Sequence, residues 1–122
     1  MKENNIIKDK SYQFSLKIVR VYRYLTEQKK EYVLSRQMLR SGTSIGANVE
    51  EAIGGQTSKD FLTKLSIAYK ESRETCYWLR LLKDSGYLDV DADVLLSDCN
   101  ELQRILCAIL KTLKSNMQYK NR

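Results

Sequence analysis

The chain contains no histidine and no proline, and only five glycines and three cysteines in 122 residues. Without histidine, the Glu-x-x-His pairs of a di-iron bundle cannot be assembled, and a serine or cysteine nucleophile has no imidazole base; a desolvated lysine would be the only substitute. Gly42, Gly46, Gly54 and Gly55 fit neither GxGxxG nor a P-loop, which removes the common phosphate cradles. Glu50, Glu51, Glu71 and Glu74 are the remaining candidates for a hard cation, but adjacent helical carboxylates point about 100° apart and nothing marks a substrate pocket. The expectation is a protein that is not an enzyme, with no cofactor, no metal and no small-molecule substrate. Cys76, Cys99 and Cys107 are odd in number and lie in helical patterns, so they read as small buried thiols rather than a disulfide framework or a metal knuckle. The longest purely apolar run, Ile105 to Leu110, is far short of the ~20 residues of a membrane span, and the charged amino terminus lacks a signal-peptide core. A cytoplasmic location with no membrane partner follows as an expectation.

What is present favours helix. The chain is 43% hydrophobic and 30% charged, ordinary for one soluble domain, and rich in Leu, Lys, Glu, Arg and Ser. Four helices can be read from periodicity. Phe14, Ile18, Val21 and Leu25 form one stripe before a charged break at Glu27 to Glu31. A second helix opens near Tyr32 to Ser35, sets Leu34, Met38, Ser41, Ile45, Asn48 and Ala52 on its seam, and ends at Gly54-Gly55. Thr57 or Ser58 caps a third helix, with Asp60 at the positive end of its dipole and a seam of Leu65, Ala68, Ser72, Thr75, Leu79 and Leu82. Ser85-Gly86 stops it. Asp89, Asp91 and Asp93 open a fourth helix with the stripe Leu95, Cys99, Leu102, Leu106, Ile109 and Leu113. The pattern predicts an all-α fold, an antiparallel up-down-up-down four-helix bundle, as a single domain over 1–122 with frayed tails at about 1–6 and 116–122.

The segment Arg36 to Gly55 has an unusually small inward face: Ser41, Gly42, Ser44, Gly46 and Ala47 carry almost no bulk. Each mid-helix glycine costs about 1 kcal/mol relative to alanine, so keeping both Gly42 and Gly46 implies a close approach of a neighbouring helix. Asn48 is expected on the buried seam. Such an amide either fixes packing register or has a functional role.

The net charge of +6 is uneven, because residues 1–30 alone come to +5. Lys10, Lys17, Arg20 and Tyr24 recur at seven, three and four residues as a basic stripe on the first helix, and Lys111 and Lys114 are expected to extend that surface from the fourth. This face either neutralises nucleic-acid phosphates or merely solubilises the protein. Helix three carries a second seam, Ile67, Glu71, Glu74, Trp78 and Leu81, off the core stripe. It is read either as a self-association interface anchored by the only tryptophan or as the edge of a wide core, with the two glutamates as boundary carboxylates available to a neighbouring Arg or Lys.

Gln37, Arg40, Ser44-Ile45, Asn48-Val49 and Glu51, followed by Phe61-Leu62, Ile67-Ala68, Glu74, Leu79 and Gly86-Tyr87-Leu88, resemble the four-helix-bundle proteins of the 23S rRNA intervening-sequence family over roughly residues 12 to 113. The combination of Ser-Ile-x-x-Asn-Val-x-Glu with a downstream Gly-Tyr-Leu carries the resemblance. Ala52, where many members have glycine, and Lys70-Glu71, where small residues are common, depart from the pattern and suggest a sub-branch. The resemblance implies a small bacterial antiparallel bundle that forms a homo-oligomer, typically a ring of five. It also implies RNA or DNA binding, because a similar protein is a nucleic-acid-binding accessory to a reverse transcriptase of diversity-generating retroelements. Arg40, Asn48 and Glu51 match the family motif and are expected to form a polar network holding helix two. The competing expectation is a protein-protein interaction scaffold with no nucleic-acid role.

Overall fold

The computed structural model describes the backbone of residues 2–120 and the side chains of residues 4–118. Four helices follow one another: α1 (Lys2–Glu27), α2 (Leu34–Ile53), α3 (Ser58–Asp84) and α4 (Val90–Lys120). Each packs on its neighbours around a closed circuit, α1 on α2, α2 on α3, α3 on α4 and α4 on α1, with no diagonal pair in contact among the described residues. Across the α1–α4 and α2–α3 seams the ion pairs run in opposite directions. Lys10 meets Glu101 while Lys17 meets Asp98, and Glu51 meets Lys64 while Arg40 meets Glu71 and Glu74.

The termini of the helices have local causes. Lys30, at φ 54°, turns the chain after α1. The buried Glu31 carboxylate then accepts from the backbone N–H groups of Val33, Leu34 and Ser35, satisfying donors that the first turn of α2 leaves free. Ser35 Oγ returns a hydrogen bond to Glu31 O at 2.7 Å. Thr57 Oγ1 accepts from Asp60 N at 3.0 Å and caps α3, as its position ahead of the helix predicts. Gly86, at φ +89°, reverses the chain after α3, and the N–H groups of Tyr87 and Leu88 both close onto Leu82 O.

The core is a column of apolar side chains from all four helices, including Phe14, Ile18, Leu25, Met38, Ile45, Val49, Leu65, Leu79, Leu82, Leu95, Leu102 and Leu106. Every position of the expected α3 seam is buried. Polar members of the core are small hydroxyls with partners: Ser11 donates to Lys8 O, Ser72 to Tyr69 O, and the Thr75 and Ser41 hydroxyls bond each other across α2 and α3 at 3.0 Å. The small face of α2 meets α1. A Cβ at Gly42 would stand 2.9 Å from Ile18 Cγ1, and one at Gly46 would stand 3.2 Å from the Ser11 carbonyl oxygen.

Three expectations are corrected. Asn48 is half-buried on the flank of α2, with its amide donating to Ser44 O one turn back at 2.8 Å; Val49 takes the inward position. The buried seam comprises Ser35, Met38, Ser41, Gly42, Ile45, Gly46, Val49 and Ala52, so Met38, Ser41, Ile45 and Ala52 are buried as expected while Leu34 and Asn48 give way to the residues that follow them. In α4, Leu110 is buried while Ile109 and Leu113 are only half-buried, because the stripe drifts around a straight helix. Helix also runs through residues 2–6 and 116–120, where the sequence predicts fraying; Ile7 adds to the core just beyond the first of these turns. Met1, Asn121 and Arg122, also within the expected tails, lie outside the described residues.

Candidate nucleic-acid interface

The α1 stripe faces α4, and acids answer it. Lys10 Nζ lies 3.1 Å from Glu101 Oε1, and Lys17 Nζ lies 2.7 Å from Asp98 Oδ2. Arg20 and Tyr24 line the next part of the same groove together with Asp91 and Val94, and Arg20 has no carboxylate within 4.0 Å among the described residues. Half-exposed pairs of this kind contribute little stability, but each removes much of a cation's attraction for an incoming phosphate. The basic stripe of helix one is largely neutralised along its middle.

Lys111 and Lys114 do not join it. Asp98, Glu101 and Leu102 line the groove against α1, whereas Leu96, Asn100 and Gln103 line the groove against α3. Steps of four and three from Asn100 give Arg104, Cys107, Lys111 and Lys114, so these side chains follow the α3 flank.

That flank holds the cations that sequence reasoning misses. On α3, Lys70, Arg73, Tyr77 and Arg80 recur at three, four and three residues. With Arg104, Lys111 and Lys114 they form a stripe of six exposed cations, none of which has a carboxylate within 4.0 Å among the described residues. Between the helices runs an open groove of about 410 Å³ whose walls are Arg73, Tyr77 and Arg80 on one side and Asn100 and Gln103 on the other. Arg73 and Arg80 are about 10 Å apart along the axis, the rise of roughly three phosphates on one strand of duplex DNA. Tyr77 is exposed between them. The sequence signal is masked by Glu71 and Glu74, which cancel charge in the count but sit on the opposite flank, where Arg40 takes both.

At the foot of this groove, Cys76 Sγ accepts from Gln103 Nε2 at 2.9 Å. The neighbouring Cys99 thiol and the Gln103 amide, with help from the Arg80 charge, outweigh burial and hold the Cys76 thiol below its usual pKa. Contact with Cys76, together with burial, pushes Cys99 far upward.

Arg40, Asn48 and Glu51 do not form one network. Arg40 bonds Glu71 at 3.4 Å and also Glu74, Asn48 bonds its own helix, and Glu51 pairs with Lys64 at 2.8 Å. Their common effect is to bind α2 to itself and to α3. Ile67, Glu71, Glu74, Trp78 and Leu81 are all half-buried along the outer α2–α3 flank. Trp78 Nε1 is buried with no hydrogen-bond partner among the described residues, and Tyr77 packs edge-on to its ring with centroids 5.1 Å apart. No group of three or more potential metal-ligating side chains occurs among the described residues, and no helix among them is long and apolar enough to cross a membrane.

The model of the 23S rRNA-intervening sequence protein family matches residues 3–108. The chain belongs to that family. A crystal structure of a protein of unknown function from the S23 ribosomal protein family of Bacteroides thetaiotaomicron is similar over 89% of this chain and 98% of its own, at 44% identity and a TM-score of 0.87. Comparison with curated proteins gives no match. The fold is shared with that solved relative. Neither relationship names an enzymatic activity.

Proposed function

We propose that the protein is a non-enzymatic, cytoplasmic, oligomeric bundle that binds RNA or DNA through its phosphates, using the α3–α4 flank as the contact surface. The observation that carries this reading is the run of Lys70, Arg73, Arg80, Arg104, Lys111 and Lys114, without carboxylate partners among the described residues, on a protein whose net charge is +6. Phosphate attraction of this kind is independent of sequence and depends steeply on salt. Arg20 and Tyr24 offer a smaller secondary contact; Lys10 and Lys17 serve mainly to tie α1 to α4.

Self-association belongs to the same reading. The buried Trp78 N–H, unpartnered among the described residues, and the half-buried Ile67 and Leu81 favour the outer α2–α3 flank as the contact between copies, which leaves the cationic flank of α3 open in the assembly. A ring of five, as the family resemblance implies, would repeat the cationic stripe around its surface.

Anisotropy titrations with single-stranded RNA, structured RNA and duplex DNA test the proposal over roughly 50 to 200 mM salt, the range in which phosphate-driven binding collapses. A steep fall in affinity with salt is expected. Binding that is absent at low salt, or a stoichiometric protein partner captured from nuclease-treated extract in its place, would favour the scaffold reading instead.

A further inference from the structure

Among the features outside the proposed phosphate contacts, the thiol pair between α3 and α4 has the most developed geometry. Cys76 is half-buried and lines the open groove, so small solutes reach its sulfur; Cys99, directly behind it, is fully buried. A short chain of hydrogen bonds through Gln103 and the Ser72 carbonyl links the two sulfurs. Gln103 Nε2 donates to Cys76 Sγ at 2.9 Å and reaches Ser72 O at 3.3 Å, while Cys99 Sγ donates to that same carbonyl at 3.1 Å. Asn100 Oδ1 lies 3.7 Å from Cys76 Sγ, and Arg73 and Arg80 flank the opening.

We propose that Cys76 is a peroxide-reactive thiol with Cys99 as its resolving partner, so that oxidation joins α3 to α4 by an intramolecular disulfide. The Cys76 thiolate attacks one oxygen of hydrogen peroxide; the O–O bond breaks, the sulfur gains an S–OH group and is oxidised by two electrons, and the departing hydroxide takes a proton from solvent. Cys99 sulfur then attacks the Cys76 sulfur. Its S–H proton leaves with the displaced hydroxyl as water, and the S–S bond forms. The roles follow from position: the groove admits peroxide to Cys76 alone, and the Gln103 amide and the nearby guanidinium groups stabilise the anionic sulfur that attack requires. Cys99 is held protonated behind it by contact with Cys76 and by burial; oxidation of Cys76 removes the first of these and leaves the second. Cys107 lies on the same flank of α4, is equally half-buried and has no hydrogen bond among the described residues, which makes it an internal control. This inference does not depend on nucleic-acid binding.

Trypsin separates the three thiols onto peptides 74–80, 84–104 and 105–111, because Arg73, Arg80, Lys83, Arg104 and Lys111 bracket them. The test treats the full chain with hydrogen peroxide, blocks residual thiols with iodoacetamide and reads the peptides by mass spectrometry. The expected result is a cross-link between 74–80 and 84–104 that a reductant removes, with peptide 105–111 alkylated as in untreated protein. In Cys99→Ala, and in Cys99→Ser should the first prove unfolded by circular dichroism, Cys76 should persist as a sulfenic acid trapped by dimedone. The Cys76 peptide should be consumed on the order of tenfold faster than that of Cys107, as expected for a stabilised thiolate. Oxidation of Cys107 at an equal or greater rate, or cross-links only between separate chains, or no cross-link at peroxide levels that oxidise Cys76, would each overturn the proposal.

Discussion

Gly42 and Ile18 are packed so tightly that a methyl group on Gly42 would lie 2.9 Å from Ile18 Cγ1 and 3.1 Å from its Cγ2. Ile18 is β-branched and fully buried, so it cannot swing away as a longer side chain would. Gly42→Ala gains about 1 kcal/mol of helix propensity and loses about 1–3 kcal/mol to overpacking, for a net destabilisation near 1 kcal/mol. Gly42→Val should cost distinctly more. Urea melts of the two variants check this, and a Gly42→Ala protein more stable than wild type would show that α1 and α2 do not pack as closely as described.

Glu31 acts before its helix begins. Its buried carboxylate takes the N–H groups of Val33, Leu34 and Ser35. Glu31→Ala leaves those donors facing a partly buried turn and should cost about 1–2 kcal/mol, the range for loss of an N-cap. Glu31→Gln keeps one acceptor oxygen and should lose less. Equal stability of Glu31→Ala and wild type in denaturant titrations would remove Glu31 from this role.

Trp78 carries the assembly proposal. Light scattering on wild type and Trp78→Ala should give an oligomer and a folded, smaller species respectively, since truncating a central aromatic anchor commonly costs about 2 kcal/mol or more. A wild-type monomer at micromolar concentration would refute self-association through this flank.

The Arg40 pairs with Glu71 and Glu74 lie at the border of that flank, with Glu71 the more buried partner at 16% side-chain exposure. A double-mutant cycle between Arg40→Ala and Glu71→Ala should give a coupling of about 1 kcal/mol or less in the dissociated protein, as for other half-exposed pairs. A coupling several times larger, measured under conditions where the protein is assembled, would place the pair inside the interface.

The fold is readable wherever periodicity is unambiguous. The α3 seam from Leu65 to Leu82 alternates threes and fours without an equally apolar rival, and all six positions are buried. In α2 the periodicity invites a start at Leu34, because leucine outranks serine in hydrophobicity; that single step places Asn48 inward. Ser35 is the buried residue instead, since its hydroxyl satisfies itself on Glu31 O. The surface is less legible because charge pairing is a long-range property. Lys10 and Lys17 meet acids in the last helix, 91 and 81 residues away, and no local pattern announces this. The opposite error hides Arg73 and Arg80, whose segment sums to a small net charge until helical geometry sends its acids and its bases to different flanks.

Equal neutralisation of two faces is the most direct measurement of the central claim. Arg73→Gln/Arg80→Gln and Lys10→Gln/Lys17→Gln each remove two positive charges, so any difference between them reports position rather than net charge. Affinity for duplex DNA measured across salt should fall by about tenfold or more for the arginine pair, with the slope of log K against log salt flattened by roughly 0.9 for each phosphate that is no longer neutralised; the lysine pair should stay close to wild type. Equal losses in the two variants, or a larger loss in the lysine pair, would contradict an α3–α4 phosphate surface.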